Sequence, residues 1–202
     1  SLVNEASAKQ RDGHIIGTEY NIFTENGKVA YMWANLKKED YLPLKVYKEL
    51  AVDPMSSITS VLAKMQEGEG AAIQLLIKPA DDKWVKAGRS YLSGIKKAEA
   101  NPEKASYKID AKELDQIESK LNKPGYHTTL RVVVCAKTET AANAHLSNIH
   151  SAFSQFNGIN NFKKRIQVFK GLFMTDFIYR YFPMIRQTSV LTSEELASIY
   201  HF

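Results

Sequence analysis

The chain has 202 residues, 44% of them hydrophobic and 24% charged, with 10 Gly and 6 Pro. That is ordinary globular usage in a chain long enough to bury a core, and it excludes a disordered, collagenous or low-complexity protein. Lys and Arg exceed Asp and Glu by 27 to 22, and the single cysteine, Cys135, excludes an intrachain disulfide and a Cys-based zinc site.

Residues 1–13 are polar and read as a flexible lead-in without the apolar core of a signal peptide. Thr18–Glu25 and Lys28–Ala34 flank Asn26-Gly27, which predicts an N-terminal hairpin. Tyr41–Leu50 alternates Leu42, Leu44 and Val46 with polar or aromatic residues and reads as a strand, with Pro43 near its start or at a bulge. Asp53-Pro54 opens a helix carrying Met55, Ile58, Leu62 and Met65 on one face, stopped at Glu67-Gly68-Glu69-Gly70.

Ala71–Lys78 follows as a strand, and Asp81 caps a helix with Trp84, Val85, Gly88, Leu92 and Ile95 on one side. Residues 98–109 read as a polar loop. Asp110 and Glu113 then begin a helix through Leu114, Ile117 and Leu121. Tyr126–Ala136 is the clearest strand. The helix after Thr138 places Ala142, Leu146, Ile149, Phe153 and Phe156 at alternating spacings of four and three. Lys163–Lys170 reads as a last strand, Thr175–Phe182 as a short aromatic helix closed by Pro183, and Thr192 with Glu195 as a capping box for a final helix. That helix runs into Tyr200-His201-Phe202, which points to a piece of a longer protein.

The order is β-α-β, two inserted helices, then β-α-β. Two such units pack most simply as an α+β ferredoxin-like split βαβ sandwich, with the helical insertion between its second and third strands and the hairpin extending the sheet. The domain organisation expected is a lead-in over 1–13, an α+β domain over 14–171 with a helical arm at 81–122, and a C-terminal helical segment over 172–202. Ile73, Leu75, Ile77, Leu130, Val132, Val134, Leu146, Ile149 and Phe153 are expected to share one core.

Few patterns carry chemistry. There is no G-x-x-x-x-G-K-[ST] phosphate loop. His145 and His150 lie about 140° apart around one helix, poor chelating geometry. Cys135 follows three valines and reads as a buried thiol. Ser56, Ser57 and Ser60 lack a nucleophile-elbow pattern. Asp81-Asp82 and Glu194-Glu195 fall at helix starts, where they favour the dipole. The strand at 126–133 lacks the aromatic signature of an RNA-binding sheet. The reading is therefore of a chain that is not an enzyme and takes no cofactor or metal.

The most apolar runs, Ala71–Ile77 and Leu130–Ala136, fall far short of the roughly 20 residues a membrane helix needs, and Leu172–Ile185 is interrupted by Asp176 and Arg180. Residues 159–191 hold six basic residues (Lys163, Lys164, Arg165, Lys170, Arg180 and Arg186) against Asp176 alone, which leaves the remainder balanced at 21 of each sign. One reading is a solvated strand edge and helix face. The other is a surface for an anionic partner such as nucleic acid, lipid headgroups or an acidic protein patch.

Three stretches go beyond topology. They are Tyr41–Tyr47 running on to Asp53-Pro54-Met55-Ser56-Ser57-Ile58, Glu67–Pro79 followed by Trp84, and Val190–Phe202. Together they resemble the soluble region preceding the motor in conjugative-transfer, type IV secretion-like coupling ATPases of the HerA/FtsK superfamily, of the variety found in small-genome uncultivated bacteria. The resemblance spans roughly residues 40–202. It implies a non-catalytic accessory domain of a membrane-associated DNA-translocating ATPase, serving positioning or subunit packing at the inner face of the plasma membrane. Its partners would be its own ATPase domain and neighbouring subunits, with at most weak DNA contact. The alternative is a nucleic-acid-binding module using the basic 159–191 segment.

Overall fold

The computed structural model describes residues 9–11, 14–16, 22–24, 26–50, 53–99, 110–166, 169–183 and 187–200. The fold is mixed α+β, a central antiparallel sheet flanked by helices. A two-stranded hairpin, β1 (Lys9–Arg11) and β2 (His14–Ile16), precedes it. The sheet contains β3 (Lys28–Leu36), β4 (Gly70–Pro79), β5 (Gly125–Ala136), β6 (Phe162–Arg165) and β7 (Ser189–Thr192). The spatial order is β4-β5-β3-β6, every pair antiparallel. The long strand β5 serves two partners along one edge: β3 pairs with Leu130–Ala136, and β7 with Gly125–Thr128. From Thr128 to Ala136 every β5 residue is buried, because both faces of the strand are covered.

Helices α1 (Pro54–Leu62), α4 (Glu139–Ala152) and α6 (Ser193–Ile199) join the main core. Alternate β3 and β5 residues (Met32, Ala34, Leu130, Val132 and Val134) meet Ile58, Leu146, Ile149, Phe153 and Phe156 there. Each helix begins where a side chain accepts from an otherwise orphaned backbone N–H: Asp53 from Met55, Thr138 from Ala141 and Thr192 from Glu195. Ile77, expected in this core, is 53% exposed near the end of β4. Ile73 and Leu75, earlier on the same strand, do pack against that core.

The insertion between β4 and β5 is α2 (Lys83–Glu99) and α3 (Ala111–Leu121), closed by its own apolar cluster of Trp84, Leu92, Ile117 and Leu121 with Val190 of β7. Two glycines permit that packing. A Cβ on Gly88 would sit 2.5 Å from Leu121, and one on Gly125 would sit 2.6 Å from the Trp84 ring.

Several expected elements move. Tyr41–Leu50 is an irregular segment with one 3-10 turn at Tyr47–Glu49. Its amides are taken by different partners: Leu44 N–H donates to Glu195 and Tyr47 N–H to Ser198, both of α6, Lys45 N–H donates to the Phe156 carbonyl, and Val46 N–H to Glu49 of the segment's own turn. A chain whose donors are so divided cannot form a ladder. The first strand of the sheet is Lys28–Leu36, the expected second arm of the hairpin, here placed between β5 and β6. In the expected first arm, residues 18–21 and 25 lie outside the described residues, and 22–24 carry no strand. The loop at 98–109 lies outside them from residue 100 onward. The last expected strand is cut to Phe162–Arg165, and the aromatic helix begins earlier, as α5 (Lys170–Ile178). Segment 172–202 supplies β7 as well as helix, and its Leu191, Leu196 and Ile199 are built into the main core.

Candidate interaction surface

Strand register builds one row across the sheet. Gln74 of β4 stands opposite Arg131 of β5, Arg131 opposite Trp33 of β3, and Trp33 opposite Arg165 of β6. Facing residues on paired strands share a side of the sheet. This side is the one away from α1 and α4, and α5 lies over it. Phe173 of α5 is buried against Tyr31, their rings 4.6 Å apart, and Val133 packs in the same cluster. The Gln74 amide donates to the Phe177 carbonyl at 2.9 Å.

Arg131 is completely buried beneath α5. Its Nη1 donates to Gln74 Oε1 at 3.1 Å and to the Asp176 carbonyl at 3.0 Å, and Nη2 lies 3.8 Å from the Asp176 carboxylate. Nε and Nη2, like Trp33 Nε1, have no hydrogen-bond partner among the described residues. Burial pushes the guanidinium below its ordinary range and the Asp176 charge opposes that shift. The arrangement draws the one acid of the basic segment inward, under its own helix.

The six predicted basic residues do not form one site. Lys163 and Arg165 stand opposite Asn35 and Trp33, on the α5 side, whereas Lys164 stands opposite Ala34 on the other side. Lys164 there adds its charge to the burial that pushes His150 down. Lys170 begins α5 and Arg180 follows its end, so a nine-residue helix of about 13 Å separates them. Arg180 has a left-handed φ of 57° and turns the chain after the helix. Arg186 lies outside the described residues.

The aromatics of this segment divide as well. Phe162 enters the main core beside Phe153 and Phe156. Phe173 is buried, Phe177 is partly buried, and Phe182 lies under the Lys78 ammonium. The outward face of α5 is nonetheless apolar. Leu172, Ile178 and Tyr179, with Ile166, Phe169 and Tyr181 beside the helix, are each more than half exposed. Sequence reading missed this ridge because α5 is apolar on both faces, so periodicity could not say which one meets the sheet.

A second cluster lies in a cavity of about 230 Å³ lined by Leu44, Lys48, Gln116, Lys120, Lys123 and Glu194 among others. Its ionisable groups are engaged with one another. Lys120 and Glu195 pair at 3.1 Å with both side chains 2% exposed. Glu194 is paired by Lys123 and Lys48, and its carboxyl is held below the usual carboxylate range by the Lys123 hydrogen bond first and by Lys48 after it. The cluster ties α3, the 42–47 segment and α6 together. Sequence reading placed Glu194 and Glu195 at a helix start and missed their lysine partners, which stand more than 70 positions away in the chain.

The remaining sequence candidates lie in local contacts. His145 meets Glu69 at 2.9 Å, fastening α4 to the turn before β4, and the Gln66 amide and His145 lower the Glu69 carboxyl. Ser56 and Ser60 donate to backbone carbonyls of their own helix segment, and Cys135 is buried. Among the described residues no three His, Cys, Asp or Glu side chains converge on a metal-sized space. No helix of the described residues is long and apolar enough to cross a membrane.

Residues 13–201 match the model of a family described as "Domain of unknown function (DUF8128)". The chain belongs to that family. No curated protein matches it. In this DUF8128 domain the α5 ridge and the engaged lysine–glutamate cavity are therefore read from the geometry alone.

Proposed function

We propose that this domain is a non-catalytic accessory module of a membrane-associated DNA-translocating ATPase of the conjugative-transfer, type IV secretion-like kind. Its task would be to position the motor or pack its subunits. The sequence resemblance over roughly residues 40–202 supplies the identity of the partner. The observation that carries the interaction role is the α5 ridge, which presents apolar side chains to solvent on a helix already docked to the sheet by its other face. Exposed apolar patches of this kind mark interaction surfaces.

We also propose that the finer architecture is that of a ferredoxin-like split βαβ unit. The strand order β6-β3-β5-β4, with α1 between β3 and β4 and α4 between β5 and β6, supports that reading. In this reading α5 covers the sheet face that such units commonly leave open, and β7 extends the sheet beside β5.

The test is to express the whole gene product with and without residues 13–201 and to measure ATP hydrolysis and subunit assembly. Assembly is expected to fall without the domain, while hydrolysis per folded motor persists. A gene product with no phosphate-binding loop outside this chain, or assembly indifferent to the deletion, would overturn the proposal. A second reading, a nucleic-acid-binding module, draws on Lys163, Arg165, Lys170 and Arg180 all belonging to the α5 side of the sheet.

A further inference from the structure

The geometry points to the α5 ridge as a surface that seats on an anionic lipid bilayer. This deepens the accessory reading, naming what the positioning surface would touch. Two observations specify the partner together. The first is apolar: Ile166, Phe169, Leu172, Ile178, Tyr179 and Tyr181 turn more than half of their surface outward. Leu172 and Tyr179, the residue that ends α5, lie seven positions apart on one flank of the outward side, and Ile178 lies on the other flank, away from Phe173 and Phe177. The second is electrostatic. Lys163 and Arg165 at the sheet edge and Lys170 and Arg180 at the helix ends frame this apolar face. Asp176 would offset them, but it is drawn under the helix to Arg131. The outward side therefore carries exposed apolar side chains on both flanks of Gly171 and Thr175, with basic residues at its edges and tyrosines at one end.

That distribution fits a headgroup interface. Aliphatic and aromatic side chains enter the acyl boundary, long basic side chains reach phosphates at the rim, and tyrosines suit the level between. A nucleic acid fits less well. Leu172, Ile166 and Ile178 offer bases nothing to stack on. Tyr179 and Tyr181 stack on each other, centroids 5.6 Å apart at 19°. Tyr31 and Trp33, the aromatics of the sheet face, lie under α5 in the cluster around Phe173.

The experiment is co-sedimentation of the full chain with vesicles of phosphatidylcholine alone and of phosphatidylcholine with phosphatidylglycerol, over a salt series. Binding is expected to the anionic vesicles only and to weaken with salt. Lys170→Glu with Arg180→Glu is expected to lower partitioning by at least about fivefold per charge removed. Leu172→Asp with Ile178→Asp is expected to abolish it. A probe that leaves the ridge intact is Thr175→Cys labelled with an environment-sensitive dye, Thr175 being exposed and Cys135 buried. Its emission should shift to the blue with anionic vesicles and stay unchanged with neutral ones. No vesicle binding at low salt, equal binding to neutral vesicles, or an unshifted dye would each overturn the proposal. So would single-stranded DNA binding more tightly than vesicles through the same residues. So would light scattering that shows a dimer which Leu172→Asp with Ile178→Asp splits, which would assign the ridge to a second copy. Motor assembly is read separately, so a domain that supports assembly without binding lipid would refute this surface and leave the accessory role standing.

Discussion

Lys120 and Glu195 form an ion pair at 3.1 Å with each side chain only 2% exposed. The pair joins the last turn of α3 to the first turn of α6. Lys120 also donates to the carbonyls of Leu42 and Val190. Glu195 accepts from the amides of Leu44 and Thr192 and from the Thr192 hydroxyl. Two charges taken from water this completely gain little net stability from each other, but losing one partner leaves the other uncompensated.

Glu195→Ala is therefore expected to destabilise the domain by about 3–5 kcal/mol. It strips Lys120 of its countercharge and Thr192 of its capping-box partner at once. Lys120→Met should cost less, since Glu195 keeps three hydrogen-bond donors. Urea unfolding of both variants checks the ranking, and hydrogen exchange on α3 should rise in each. A reversed order would mean that Glu195 is not the hub.

Leu146→Ala removes a side chain buried between α4 and the sheet, and is expected to cost about 2–5 kcal/mol. Ile77→Ala, on a strand of the same sheet but exposed, should stay within about 0.5 kcal/mol, as should Lys83→Ala. Equal midpoint shifts for Leu146→Ala and Lys83→Ala would show that α4 packs elsewhere.

His150 gives stability a pH dependence of defined sign. Burial first, and the Lys164 charge second, push its folded-state pKa below the ordinary histidine value of 6.5, and its Nε2 is buried without a hydrogen-bond partner among the described residues. The unfolded chain therefore binds the proton more readily. The contribution of neutral His150 is fully present above that ordinary value and is lost as pH falls from there through the depressed one. The Glu69 and Glu194 carboxyls, both depressed, contribute above the ordinary carboxylate range and lose their contribution further down the scale. Asp40, raised mainly by burial, acts in the opposite sense. Urea midpoints between pH 7.5 and 5.5 (roughly one unit either side of the histidine value) should fall for the native chain and fall less for His150→Gln. Parallel curves for the two would remove His150 as the cause.

Single-stranded DNA is expected to bind the isolated chain no better than about 10⁻⁴–10⁻⁶ M at physiological salt, the range of non-specific electrostatics. Salt-titrated anisotropy measures this. Reversing Lys163, Lys164 and Arg165 to Glu, which takes the net charge from +5 to −1, should weaken it further. If binding is tight and the triple reversal removes it, the nucleic-acid reading displaces the accessory one. Reversing Lys164 alone should matter least in that case, because it faces away from α5.

What could be read from the sequence was what neighbours in the chain decide. Asp53, Asp110, Thr138 and Thr192 announced helix starts because a cap binds an amide two or three residues on. The spacing of Ala142, Leu146 and Ile149 named a buried helix face, and the α+β order with its inserted helices followed from the succession of patterns. Tertiary structure decided what depends on distant partners. Tyr41–Leu50 has the alternation of a strand, yet its amides are taken by Glu195, Phe156, Ser198 and Glu49, three of them over a hundred positions away. Lys28–Leu36 became an inner strand only because β5 and β6 flank it. Arg131 could be buried only because Gln74 and Asp176 converge on it from β4 and α5. The split of the basic segment into an inner acid, an outer apolar ridge and a lysine on the opposite side follows from strand register and helix docking, neither of which any local pattern of residues encodes.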